Sequence, residues 1–257
     1  MELQDLQGKT ALVTGGANGI GAGVARRLAS HGVQVVVADI ADDAGRQVAA
    51  AIGGHFVHCD VSRLEDNEAA VAEARQRFGA LHICFLNAGV STGCGIGEDF
   101  DPALYRRAMG VNLDGVVFGV HAALPALRAA GGGDIVATAS LAGLVAVAFD
   151  PVYGANKHGV VGLTRSLGLV LAGDGVRVNA ICPGFADTAI VDGIRGALEQ
   201  AGVPLIEVDR VVDAFMAALT SGDSGQCWFV QPGRPSEPFR FRNVPGPRGE
   251  GEGRRPQ

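Results

Sequence analysis

The sequence of 257 residues contains no uninterrupted apolar run of the ~18 residues that a membrane-spanning helix needs. Its opening, MELQDLQGKT, has neither the charged start nor the apolar stretch of a secretory leader. No membrane partner and a cytoplasmic location are therefore expected. An excess of positive charge is also missing. Lys and Arg number 21 against 27 Asp and Glu, a formal net charge of -6, which leaves no basic footprint for nucleic acid. The five cysteines, Cys59, Cys84, Cys94, Cys182 and Cys227, form no C-x-x-C pair and show no metal-ligand spacing to the histidines, so no metal is expected. An odd, scattered set suits a reducing compartment, and Cys84 and Cys182 lie in apolar strand-like runs where a thiol acts as a small core residue. No internal repeat of solenoid type is present.

What the sequence does have is glycine, 39 of them, many at turns between apolar runs. Short β-branched runs (TALVTGG, VQVVVAD, HFVHCDV, LHICFLNAG, GDIVATAS, VRVNAICPG, GQCWFV) alternate with amphipathic segments near 20–30, 42–51, 62 onward, 102–128, 153–172 and 208–220. The segment at 62 opens with SRLE, a capping-box pattern. Continuous apolar strands alternating with helices predict an α/β fold: a single Rossmann-type, doubly wound parallel sheet of about seven strands with helices on both faces. This domain is expected over 1–230. From Gln231 the composition shifts, with six of the eleven prolines, six arginines and no period of either kind, so 231–257 reads as an irregular extension, disordered over its last ten or so residues. Its Phe239 and Phe241 argue that the first half packs on something.

The first strand runs into TGGANGIG, residues 14–21, where a helix opens. Gly15, Gly19 and Gly21 allow a sharp turn and close backbone approach, so that a pyrophosphate can rest on the free amides of the helix N-terminus. The order is G-x-x-x-G-x-G, and a lone glycine cluster is weak evidence because helices often begin or end at glycine-assisted turns. Context adds Asp39, eighteen residues after Gly21 at the end of the second strand, where a carboxylate can accept from the adenosine ribose hydroxyls. A helix cap is the other reading of Asp39. The same carboxylate repels a 2′-phosphate, and no arginine or lysine lies in the turn or directly after Asp39, so NAD is favoured over NADP. Further on, PVYGANKHGVVG places Tyr153 and Lys157 at i and i+4 of a helix, on one face. Such a pair arises by chance in many helices. If functional, an ammonium about 4 Å from the phenol would favour the phenolate and make a usable base.

Residues 14–21, Asp39, the NAG at Asn87, Ala88 and Gly89, Ser140, YGANK and the PG at Pro183 and Gly184 occur in the order and spacing of the short-chain dehydrogenase/reductase superfamily, and the sequence resembles its compact one-domain branch from about Gly8 to Val230. Ser140 stands thirteen residues before Tyr153, as that pattern expects. The resemblance implies a catalytic tetrad of Asn112, Ser140, Tyr153 and Lys157. Tyr153 would be the acid/base, and Lys157 would lower its pKa and hold the nicotinamide ribose. Ser140 would bond the substrate oxygen, and Asn112 would organise a water leading from Lys157 to solvent. It further implies dinucleotide contacts from Gly15, Asn18, Gly19, Ile20, Gly21, Asp39 and Ile40. Asp60 and Val61 would lie by the adenine, Asn87, Ala88 and Gly89 along the cleft, and Pro183, Gly184 and Thr188 at the nicotinamide end with Tyr153 and Lys157.

The expected activity is thus NAD-dependent interconversion of a secondary alcohol and its ketone. An NADPH-dependent ketoreductase and a non-catalytic nucleotide-binding scaffold are the alternatives, the complete tetrad speaking against the scaffold. Residues 141–152, LAGLVAVAFDPV, are almost wholly apolar, and in the family this segment lines the pocket. With 91–95 and the stretch after Thr188 it is expected to bring no cation, which favours a lipophilic alcohol or ketone as substrate. Asn156 stands where serine is usual and is expected to be harmless, pointing away from the Tyr–Lys pair. The lid region between Thr188 and Val208 is expected to be short, with the tail from Pro232 as a candidate cover. A homo-oligomer, tetramer or dimer, is expected, because VVGLTRSLGLVLAG is apolar over more than the one stripe a surface helix needs.

Overall fold

A computed structural model describes residues 3–243, so the expectation for the last residues of the chain lies outside the described range. Strand β1 (Thr10–Thr14) leads into α1 (Gly19–Ser30), β2 (Gln34–Asp39), α2 (Asp42–Ala51), β3 (His55–His58), α3 (Leu64–Phe78) and β4 (Ile83–Leu86). Helices α4 (Pro102–Met109) and α5 (Gly115–Ala129) follow, then β5 (Gly133–Thr138), α6 (Pro151–Val170), β6 (Val176–Pro183), α7 (Arg195–Gln200), α8 (Val208–Thr220), β7 (Cys227–Val230) and β8 (Glu237–Pro238). The strand order is β3-β2-β1-β4-β5-β6-β7-β8, with β1 to β7 parallel and β8 antiparallel on β7. After β3 the chain crosses to the other side of β1, so a crevice opens beyond the carboxyl ends of β1 and β4. In open α/β sheets that is where ligands bind.

The central strands are apolar throughout because both faces are covered. Leu12, Cys84, Leu86, Ile135, Val178 and Cys182 point toward α3, α5 and α6; Ala11, Val13, Val35, Val37, Phe85 and Ile181 point toward α1 and α8. Phe85 and Phe215 meet there with ring centroids 4.6 Å apart. Cys59, Cys84, Cys182 and Cys227 are buried free thiols. Burial pushes the Cys84 thiol up to about 12, which keeps it a neutral core group.

Three local expectations are corrected. The SRLE box does not form: α3 begins after Arg63 without a side-chain cap, and the Ser62 amide and hydroxyl both donate to Asp60 Oδ1, at 3.0 and 2.7 Å. A loop carboxylate in reach captures the serine first. The helix expected over 102–128 is present and continuous over Pro102–Ala129, with α4 and α5 joined by a π turn at Gly110–Asp114. By length and composition the span Pro102–Ala129 could cross a membrane, but in the fold it packs on α3 and β4. The lid region holds a 3-10 turn (Ala189–Ile194) and α7, more structure than a short loop. The tail is irregular only in part. Glu237 pairs with Phe229 and Pro238 with Trp228, and the Phe239 amide donates to the Cys227 carbonyl at 2.7 Å. Phe241 lies under the Arg165 guanidinium at 3.9 Å, with Phe239 and Phe241 edge to face at 5.0 Å. Antiparallel pairing carries residues 237–241 back along β7, away from the strand ends that bear the crevice, so this part of the tail covers α6 and not the site.

Candidate active site

The glycine turn is fixed by contact. Gly15 has φ +62°, and a Cβ there would lie 2.8 Å from the Ala88 Cα; a Cβ on Gly21 would lie 2.0 Å from the Gly15 carbonyl oxygen. No side chain fits at either position. Asn18 begins α1 in extended geometry, and its side chain makes no cap bond among the described residues, so the first amides of α1 face the crevice unclaimed. Asp39 closes the turn from the side: its carboxylate accepts from the Ala17 amide (3.0 Å) and the Ala41 amide (2.9 Å). It is not the cap of α2, whose N-cap is Ala41. Ile40 beside it is 65% exposed. His58, across the ladder from Asp39, is held by Asp42 (2.6 Å), and Arg46 is paired with the same Asp42, so one carboxylate engages both the imidazole and the guanidinium. The Asp60 carboxylate accepts from Ser62, the Asp60 amide donates to Asp66 Oδ2 (3.0 Å), and Val61 is buried.

Asn87, at the end of β4, joins the two halves of the site. Its amide donates to Thr14 Oγ1 (2.9 Å), its Nδ2 donates to the Thr14 and Gly15 carbonyls (3.2 Å each), and its Oδ1 accepts from Thr138 Oγ1 (3.0 Å). Thr138 in turn presents its carbonyl to Lys157 Nζ at 2.8 Å. The sequence reading missed Thr14 and Thr138; each is a threonine at the carboxyl end of a strand bordering the crevice, and that position was the available signal. At the far end Thr188 meets the glycine turn: a Cβ on Gly19 would lie 3.0 Å from the Thr188 Cγ2. Gly184 is bonded to the Val230 carbonyl (3.0 Å).

Tyr153, Lys157 and Ser140 come together as expected. Asp150 caps α6 through the Tyr153 amide (2.8 Å), and Pro151 starts the helix, which fixes where the phenol emerges. The Ser140 hydroxyl donates to the Pro183 carbonyl (3.3 Å), accepts from the Ala142 amide (3.1 Å) and is hydrogen-bonded to the Tyr153 phenol. Lys157 Nζ lies 5.7 Å from the centre of the Tyr153 ring. A methyl added at Gly89 would touch both Asn112 Oδ1 (3.4 Å) and Lys157 Nζ (3.8 Å), so all four expected groups border one space.

The electrostatics differ from expectation. Burial pushes the Tyr153 phenol up to about 12; the Ser140 bond opposes this and the Asp150 charge adds to it. Lys157 does not offset this rise; its Nζ donates to the Thr138 carbonyl, and burial pulls it down to about 8. Asn112 is also occupied. Its Oδ1 accepts from the Val90 amide (2.8 Å) and its Nδ2 donates to the Val90 carbonyl (2.9 Å), so it pins the loop after β4, with one N–H and one lone pair left for a water. Asn156 is fully buried. Its Nδ2 donates to the Val152 carbonyl (2.7 Å) and its Oδ1 has no partner among the described residues, so it is a strained substitute for serine and not a neutral one.

Around this polar centre the loops after β4, β5 and β6 carry exposed apolar side chains: Ile96, Phe100, Val145, Phe149, Ile190 and Ile194. The expectation of no cation after Thr188 needs correction, since Arg195 lies there. It is bound by Asp187 (2.8 Å) and Asp192 (3.0 Å).

The family described as short chain dehydrogenase matches residues 9–198. The chain is a short-chain dehydrogenase/reductase. Among relatives of this enzyme, the cyclohexanol dehydrogenase of Acinetobacter sp. (strain SE19) is 42% identical over 188 residues, covering 71% of this chain and 75% of that one. The 3-alpha-(or 20-beta)-hydroxysteroid dehydrogenase of Mycobacterium tuberculosis (strain ATCC 25618 / H37Rv) is 37% identical over 235 residues, 89% of each chain. Borneol dehydrogenase, mitochondrial, of Lavandula x intermedia is 37% identical over 219 residues, 83% of this chain and 84% of that one. In three dimensions the enzyme superposes on levodione reductase with a TM-score of 0.82 at 28% identity, over 88% of this chain and 97% of that one. Dehydrogenases of the family use a nicotinamide nucleotide, and the crevice fits one. The cradle at Gly15 and Gly21 that any Cβ would fill lies against the unclaimed amides of α1 and leads past Asn87 to Tyr153 and Lys157.

Proposed function

We propose that this short-chain dehydrogenase is NAD-dependent and interconverts a lipophilic secondary alcohol and its ketone. The observation that carries the reading is the joined pair of ends: Ser140, Tyr153 and Lys157 at one, and at the other the Asp39 carboxylate with the neighbouring Arg46 paired to Asp42. Each Asp39 oxygen accepts one backbone N–H and keeps a lone pair for a ribose hydroxyl, while its charge disfavours a 2′-phosphate. Glycines 15, 19 and 21 with Asn18 and Ile20 would receive the pyrophosphate, and Pro183, Gly184 and Thr188 the nicotinamide end. Bound there, the dinucleotide supplies the hydride acceptor.

The chain supplies the proton chemistry. Ser140 orients the substrate oxygen next to the Tyr153 oxygen, which as phenolate takes up the proton that the alcohol loses and as phenol returns it to the ketone oxygen in the reverse direction. Burial raises the phenol, so it rests protonated, the form that gives a proton to a ketone oxygen. Lys157, whose Nζ donates to the Thr138 carbonyl and lies 5.7 Å from the centre of the Tyr153 ring, would hold the nicotinamide ribose. Lipophilic substrate choice rests on the apolar loops and on the pairing of Arg195 with two aspartates, which leaves little attraction for a carboxylate or phosphate. The relatives named for cyclohexanol, borneol and hydroxysteroids support the same substrate class.

Formation of reduced dinucleotide, followed by absorbance with NAD and NADP over a panel of alcohols, tests both halves. The expected result is turnover of neutral secondary alcohols with kcat/KM at least about tenfold higher for NAD, a difference of about 1.4 kcal/mol. Preference for NADP would overturn the role of Asp39. The enzyme is further proposed to be a homo-oligomer, because Leu169 and Val170 on the outer side of α6 are 83% and 72% exposed and Val117 is exposed on α5. A monomeric mass by light scattering at micromolar concentration would overturn that.

A further inference from the structure

Cys182 is the next-to-last residue of β6, and its two neighbours both hold the segment that carries Ser140. The Ile181 carbonyl accepts from the Ala139 amide at 2.8 Å, and the Pro183 carbonyl accepts from the Ser140 hydroxyl at 3.3 Å. Between these contacts the Cys182 side chain lies in the core on the α6 side of the sheet, fully buried. Its sulfur accepts the Ser140 amide, which no backbone carbonyl takes among the described residues. Its S–H donates to the sulfur of Cys227, a second fully buried thiol, which stands on β7 opposite Ala180 and in the same core. The buried Lys157 ammonium is close enough for its charge to act on Cys182. Packing alone does not require a thiol here: valine or alanine would fill much of the space but would leave the Ser140 amide without an acceptor.

We infer that Cys182 is a positioning residue of the reaction, holding the Ser140 backbone so that the Ser140 hydroxyl meets the substrate oxygen beside Tyr153. The inference rests on the alcohol dehydrogenase reading above and adds a residue to it. Ser140 stands at the junction between β5 and the 3-10 turn Leu141–Gly143, where neither a strand ladder nor a helix fixes the chain. Its hydroxyl is tied to Pro183 and Ala142, and the thiol supplies the tie on the backbone itself. A thiol can accept and donate at once, and Cys182 does both, so the hold on Ser140 is passed across β6 to β7. A buried N–H with no acceptor is costly, and the segment would shift to find one. Displacing a group that orients a reacting atom by about 1 Å costs on the order of 10²-fold in rate. Cys182 thus acts through Ser140 without touching the substrate.

The test measures kcat and KM for cyclohexanol, and the NAD dissociation constant, in the wild type and four variants. Cys182→Val and Cys182→Ala, which offer no acceptor with the volume kept or reduced, should each lose about tenfold or more in kcat, while KM and NAD affinity stay within about threefold. Cys182→Ser, whose hydroxyl accepts and donates, should stay within about threefold of wild type in kcat. Cys227→Ala opens space in the same core but leaves the Ser140 contact in place, and should also keep kcat within about threefold. An unchanged kcat in the two apolar variants, an equal loss in Cys227→Ala, or a loss that serine does not recover would make Cys182 a packing group and overturn the role. Hydrogen exchange of residues 139–144 runs alongside and is expected to be faster in Cys182→Val than in the wild type and Cys182→Ser. A wild type inert toward every alcohol with both dinucleotides would overturn the alcohol dehydrogenase reading instead. The hold on Ser140 is then decided by the exchange arm, equal exchange in all three proteins overturning it and faster exchange in Cys182→Val alone supporting it.

Discussion

The dinucleotide half of the crevice and its substrate half are built in opposite ways. From Gly15 to Asp39 every approach is filled. Backbone meets backbone at Gly15 and Gly21, a carboxylate is tied to two amides, and one asparagine bonds two strand ends with both halves of its side chain. Across the crevice, the loops after β4, β5 and β6 leave Ile96, Val145, Phe149 and Ile190 open to solvent with few polar ties. The first half recognises a constant, charged ligand through backbone geometry and has no slack. The second presents exposed apolar area and can be altered without disturbing the fold. Between them, Tyr153 and Lys157 sit in a buried strip whose desolvation acts on both groups.

That contrast can be broken most sharply at Gly21. Gly21→Ala, one methyl driven into the Gly15 carbonyl, should abolish dinucleotide binding or folding, a loss of at least about 3 kcal/mol; calorimetry and Tm read it, and retained affinity would show that the turn has slack after all. Next, Tyr153→Phe should cost about 10²- to 10⁴-fold in kcat while the NAD dissociation constant stays nearly unchanged. Loss of dinucleotide affinity of the same size would move Tyr153 from the chemistry to the binding half.

Lys157 sharpens the meaning of the buried strip. Its fall from 10.5 to about 8 corresponds to about 3 kcal/mol at about 1.4 kcal/mol per pH unit. The sign follows from proton counts. Between pH 8 and 10.5 the unfolded chain still holds a proton that the folded chain has released, so wild-type stability gains across that window, the buried ammonium being costly below it. Lys157→Met removes the titration. Its unfolding free energy relative to wild type should therefore drop by up to about 3 kcal/mol from pH 8 to 10.5, measured by denaturant titration; a flat difference would mean that water reaches the ammonium.

Truncation after Val230 should cost about 1–3 kcal/mol through the loss of the Phe239 and Phe241 cover and of the β8 pairing, with KM for bulky alcohols within about twofold. A severalfold rise in KM would return the tail to the substrate half. Smallest of all, Val145→Ala should change stability by less than about 0.5 kcal/mol, because the side chain is largely exposed, and should be visible only in the substrate panel.

The sequence by itself determined the periodicity of strands and helices, the Gly15–Gly21 turn and the Tyr153–Lys157 spacing. These depend on neighbours near in the chain: a missing Cβ, an i,i+4 stripe, an apolar run of strand length. Helices α2 and α8 were legible to the residue for the same reason. Where partners distant in the chain compete, only the tertiary structure decided. Asn156 was buried with an oxygen that has no partner among the described residues, and the tail folded onto Arg165 as an eighth strand. The same holds for the Tyr153 phenol. Spacing placed a cation near it, but its proton affinity depends on how much water the assembled domain removes, and that burial is a property of the whole fold that no local spacing carries.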